Sequence, residues 1–130
     1  MDDWKNILEF LQPKESPYCP EAASLTQKVF LRTYSLEALF GGAAGGGKSS
    51  ALLMAALQYV DVPGYSAILF RRTYADLALP GAIMDRFQAW IANYDNIKWN
   101  GSLYVATFPS GARISFGYLN NSQDYLRYKG

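Results

Sequence analysis

Leu39-Phe40-Gly41-Gly42-Ala43-Ala44-Gly45-Gly46-Gly47-Lys48-Ser49-Ser50 is the stretch on which the fold turns. Gly42, four further residues, then Gly47-Lys48-Ser49 satisfy the G-x-x-x-x-G-K-[ST] pattern of a phosphate-binding loop. An apolar β-type run, Leu36 to Phe40, precedes it, and a helix-forming apolar run, Ala51 to Leu57, follows. That strand–loop–helix setting is the context the pattern requires. Five of the seven positions 41–47 are glycine, so the backbone can take left-handed conformations at little steric cost. Successive amides can then point inward as an anion nest, and a helix opening at Gly47–Lys48 adds its positive dipole end. A triphosphate is expected across Gly42, Ala43, Ala44, Gly45, Gly46, Gly47, Lys48, Ser49 and Ser50. Lys48 brings a point charge to the β- and γ-phosphates, and the Ser49 hydroxyl is the expected ligand for Mg²⁺.

Working outward, residues 3–12 read as a short helix, with Trp4, Ile7, Leu8 and Leu11 at helical spacing. Pro13, Pro17 and Pro20 mark an irregular linker. Residues 1–20 therefore form an N-terminal helix and Pro-rich linker, and 21–130 the N-terminal part of an ATPase domain. Residues 21–31 read as helical and lead to a strand at about 36–41. The helix from Gly47 to about Tyr59 is apolar on nearly every face, which predicts burial. Pro63-Gly64 is a turn, and Ser66-Ala67-Ile68-Leu69-Phe70 reads as a strand in the centre of a parallel sheet. Pro80-Gly81 opens a second helix with an apolar stripe of Ile83, Met84, Phe87, Trp90, Ile91 and Tyr94. Residues 103–108 and 112–116 flank Pro109-Ser110-Gly111 as a β-hairpin. The expected fold is α/β: a P-loop NTPase with a mostly parallel sheet, helices on both faces and an added hairpin.

Composition narrows the chemistry. Half of the 130 residues are hydrophobic and 15% aromatic, enough for a real core. Net charge is +1, so overall charge names no partner. The absence of histidine rules out His-based acid–base chemistry within the chain and His metal sites. Cys19 is the single cysteine, so no internal disulfide forms and a reducing compartment fits. No apolar run approaches membrane-spanning length, so no membrane partner is expected.

A P-loop ATPase also needs an apolar strand ending in Asp, often followed by a catalytic Glu. Asp61 comes directly off the loop helix, Asp85 sits in a helical pattern, and Asp124 follows a polar run. None fits that acidic (Walker B) strand. The expectation is an N-terminal piece of a longer protein that ends before the strand, binding ATP but hydrolysing it poorly or not at all.

The order of several segments resembles the ATPase domain of the large subunit of tailed-phage terminases, over about residues 20–130. The segments are Thr26-Gln27-Lys28-Val29-Phe30-Leu31, the phosphate loop, Ile68-Leu69-Phe70-Arg71-Arg72-Thr73-Tyr74-Ala75-Asp76-Leu77, and Phe108-Pro109-Ser110-Gly111-Ala112-Arg113-Ile114. Asp124-Tyr125-Leu126-Arg127-Tyr128-Lys129-Gly130 completes the set. The resemblance implies a DNA-packaging motor that couples ATP hydrolysis, with Mg²⁺, to translocation of double-stranded DNA into a capsid. It implies a homo-oligomeric ring, a portal protein and a small terminase subunit as partners, and work in the host cytoplasm at the procapsid portal. It assigns Gln27 to the adenine edge, where an amide can pair with donor and acceptor together. It makes Arg127 a catalytic arginine acting in trans on the γ-phosphate beside Lys48, with Lys129, Arg71 and Arg72 as competitors for that role. The nuclease domain of a whole terminase is not in these residues. Three other readings stay open: a helicase or recombination ATPase, a small-molecule kinase, and a non-enzymatic domain whose glycine loop holds no nucleotide.

Overall fold

The computed structural model describes residues 14–33, 35, 37–38, 41, 47–119 and 121. They belong to two compact units, Met1–Gln58 and Tyr59–Gly130. The expected helix at 3–12 lies outside the described residues. Of the expected strand at 36–41, residues 37, 38 and 41 are described, and none of the three is in a strand.

The first unit contains helix α1, Leu25–Leu31, and helix α2, Lys48–Leu57. Ser24 caps α1: its side chain accepts from Gln27 N at 3.2 Å, while Gln27 Oε1 accepts from Ser24 N at 2.9 Å. This reciprocal box satisfies two amides that a helix start otherwise leaves unpaired. Helix α2 is buried as its sequence predicts. Ala51 and Leu53 are fully covered, and Met54, Ala56 and Leu57 nearly so. At its far end Gln58 Nε2 donates to Leu31 O at 3.4 Å, tying the C-terminus of α2 to that of α1.

The second unit is a four-stranded sheet with flanking helices. Its elements are β1 (Ser66–Arg71), α3 (Tyr74–Ala78), α4 (Ile83–Ile91), β2 (Lys98–Asn100), β3 (Val105–Thr107) and β4 (Arg113–Tyr118). The strand order is β1-β4-β3-β2. β1 and β4 run parallel, Ser66 opposite Arg113 and Arg71 opposite Tyr118. β3 pairs antiparallel with both β4 and β2.

Two expectations are corrected here. The sheet is mixed, with one parallel and two antiparallel pairings among the described strands, because the hairpin recruits a third strand at Lys98–Asn100. β1 is also the outer strand of that described sheet rather than a central one, and Ile68 is 44% exposed on it. The apolar run of β1 is thus buried mainly at Leu69.

The hairpin closes as its turn residues require. Gly111 sits at φ +91°, and Phe108 N donates to Ala112 O at 2.9 Å. Ser110 Oγ donates to Val60 O at 2.5 Å and accepts from Ala112 N at 3.1 Å. Replacing Ser110 with alanine removes both bonds, and a loss of about 1 kcal/mol in unfolding free energy is expected. A urea midpoint unchanged from wild type would contradict it.

Helix α4 buries Ile83, Met84, Phe87 and Ile91 and exposes Asp85 and Gln88, the face its stripe predicts. Its start is held from outside: Asp85 Oδ2 accepts from Gly81 N at 2.8 Å. Phe87 packs against Phe116 of β4 and Trp99 of β2, with ring centroids 5.2 and 6.2 Å away. Thr73 caps the short α3 by accepting from Asp76 N at 3.1 Å. Among the described residues no helix is long and apolar enough to cross a membrane.

Candidate functional site

The described part of the glycine-rich loop is its end at Gly47. Gly47 is the N-cap of α2 and sits in the left-handed region at φ +82°, ψ +14°. Glycine has no side chain of its own to cap the helix. The Gly47 carbonyl accepts from Ala51 N at 2.9 Å, the first bond of the helix. Lys48 and Ser49 therefore occupy the first turn of a ten-residue helix, where N–H groups point along the axis and the dipole is positive. Lys48 and Ser49 are half-buried, while Ser50 is 3% exposed.

Gln27 comes to this same point from α1. Its Nε2 donates to Gly47 O at 2.9 Å, twenty residues away in sequence. Its Oε1 is held by Ser24 N. The side chain is buried, with 7% exposed. A Cβ on Gly47 would lie 2.7 Å from Gln27 Nε2. Glycine at 47 is thus required twice, by a left-handed φ and by a side chain occupying the space a Cβ would need.

The structure thus brings together Gln27, Gly47, Lys48 and, through the same helical turn, Ser49 and Ser50. Gly42, Ala43, Ala44, Gly45 and Gly46 lie outside the described residues, as do Arg127, Lys129 and Asp124. Arg71 and Arg72 stand at the C-terminal end of β1, in the second unit. Arg71 Nη1 donates to Phe70 O at 3.3 Å. Ser24 is the partner that the sequence reading missed. Its signal was available, because Ser24-Leu25-Thr26-Gln27 has the S-x-x-Q spacing of a capping box.

The donor set suits a phosphate chain: a left-handed glycine, a helix N-terminus, an ammonium and a hydroxyl. For Mg²⁺ the chain offers the Ser49 hydroxyl, and among the described residues no group of three acidic or thiol side chains converges. A separate cavity of about 130 Å³ in the first unit is lined by Lys14, Glu15, Cys19, Leu31 and Met54, among others, and does not include Gly47, Lys48 or Ser49. Burial there pushes the Cys19 thiol up, and its Sγ donates to Glu21 O at 3.3 Å. Such a thiol is poorly suited to act as a nucleophile.

Comparison of the chain with protein-family models, with curated proteins and with solved structures returns no match.

Proposed function

We propose that this chain binds ATP through its glycine loop and is the nucleotide-binding part of a DNA-packaging ATPase of the terminase large-subunit kind. The observation that carries the ATP-binding half is the left-handed Gly47 N-cap, from which the ten-residue helix α2 starts at Lys48 and Ser49. The packaging half rests on the order of segments from Thr26 to Gly130. In that reading double-stranded DNA is the substrate, and the portal, the small subunit and further copies of the chain are the partners.

In this reading the turn at Gly47 would present the first amides of α2 to the phosphate chain. Lys48 would hold the outer phosphates with its ammonium, and Ser49 would hold Mg²⁺ through its hydroxyl, the metal offsetting phosphate charge.

The deciding experiment is an ATP titration of the chain with and without Mg²⁺, beside Lys48→Ala. Saturable binding is expected, weakened roughly tenfold to a hundredfold in the variant, as for the loss of a charge-assisted contact of about 1.5–3 kcal/mol. Equal affinity in the two folded proteins, or none in wild type, counts against the proposal.

A further inference from the structure

We infer that Gln27 is a positioning residue: its carboxamide, anchored by Ser24, holds the Gly47 carbonyl and with it the left-handed turn from which the Lys48 helix starts. The inference deepens the phosphate-binding reading above and rests on it for its effect on ligands, though not for the clamp itself.

Three observations carry it. The two ends of the carboxamide are bonded to different backbone groups, Oε1 to Ser24 N and Nε2 to Gly47 O, each at 2.9 Å. The orientation of the amide is fixed by chemistry, because an N–H faces one end and a carbonyl oxygen the other. The side chain is buried, so water is poorly placed to substitute for a lost partner. The Gly47 carbonyl also accepts from Ala51 N. Gln27 and the first turn of α2 thus share one acceptor, and the carboxamide fixes where that acceptor points.

A consequence follows for specificity. Reading adenine demands that oxygen and nitrogen of one amide face the same base edge. Here they face Ser24 and Gly47. Gln27 therefore governs affinity for the phosphate chain of any triphosphate and leaves the choice of base to other groups.

Two variants of the full chain separate these roles. Gln27→Met is neutral and of similar length but lacks the donor. Gln27→Glu keeps an acceptor for Ser24 N and turns an acceptor toward Gly47. Without ligand, amide hydrogen exchange at residues 51–54, whose N–H groups make the first bonds of α2, is expected to rise about tenfold in both, while the hairpin amides of 105–118 stay at wild-type rates. Affinities of Gln27→Met for ATP, GTP and inorganic tripolyphosphate are expected to fall together by about tenfold, with the ATP-to-GTP ratio unchanged. Unchanged exchange at 51–54 overturns the clamp. A fall for ATP alone, with GTP and tripolyphosphate held, overturns it in favour of base reading. If wild type binds none of the three ligands, the ATP-binding proposal fails, and the exchange result still decides the clamp. If Gln27→Glu does not fold, Gln27→Met supplies both readouts.

Discussion

Phe87→Ala is expected to lower the stability of the second unit by about 3–5 kcal/mol, the usual range for deleting a fully buried aromatic side chain. Phe87 has no exposed surface. It is the ring through which α4 meets the sheet, and Trp99 and Phe116 also face each other, with centroids 6.1 Å apart. Removing it strips one member from a three-ring cluster and leaves a void that two strands cannot close without giving up their register. Beyond the area lost, each aromatic pair contributes about 0.5–1.5 kcal/mol. Since a domain is stable by only about 5–15 kcal/mol, the variant gives up a large share of that margin. Urea titration followed by near-ultraviolet circular dichroism measures this. Phe87→Leu, which keeps most of the volume, should cost about 1–2 kcal/mol. Equal midpoints for Phe87→Ala and wild type would mean that the ring cluster does not hold α4 to the sheet.

That cluster also marks what the sequence could and could not disclose. Phe87 was legible, because Ile83, Met84, Phe87 and Ile91 recur at helical spacing with Asp85 and Gln88 between them. The β3–β4 hairpin was legible through Pro109-Ser110-Gly111, and α2 through the Gly47-Lys48-Ser49 junction. Trp99 was not legible as a sheet residue. β2 is three residues long, and three residues show no period. It exists because Trp99 lies opposite Ala106 in the ladder, and pairing across a sheet leaves no mark on either segment alone. The outer position of β1 among the described strands was hidden for the same reason. An apolar run of five reads alike at a centre and at an edge, and Ile68 took the exposed face. In the candidate site, Gly47, Lys48 and Ser49 were plain from their motif. The two-ended engagement of Gln27 was half legible, since Ser24 to Gln27 has capping-box spacing. The other half spans twenty residues to a backbone carbonyl, which no side-chain pattern encodes.

Gly47→Ala is expected to weaken triphosphate binding by roughly 10-fold to 300-fold while leaving the second unit folded. Two separate terms act. An L-residue in the left-handed region costs about 1–2 kcal/mol, and Gly47 is there at φ +82°. The new methyl would also stand 2.7 Å from Gln27 Nε2. That nitrogen is the mobile end of a side chain and can withdraw, but withdrawal breaks its bond to the Gly47 carbonyl and pulls on Ser24. A buried hydrogen bond of this kind contributes about 0.5–1.5 kcal/mol. Together the terms reach about 1.5–3.5 kcal/mol, and each 1.4 kcal/mol is a factor of ten in an equilibrium constant. Gly64→Ala separates them. Gly64 has nearly the same φ, +83°, yet nothing lies within 4 Å of its added methyl. It should show the backbone term alone, as a loss of about 1–2 kcal/mol in stability, with triphosphate affinity unchanged. Titration of ATP and tripolyphosphate against both variants, beside their urea midpoints, makes the comparison. If Gly47→Ala binds as wild type does, the turn at Gly47 does not aim the first amides of α2, and the phosphate-binding reading loses its main support.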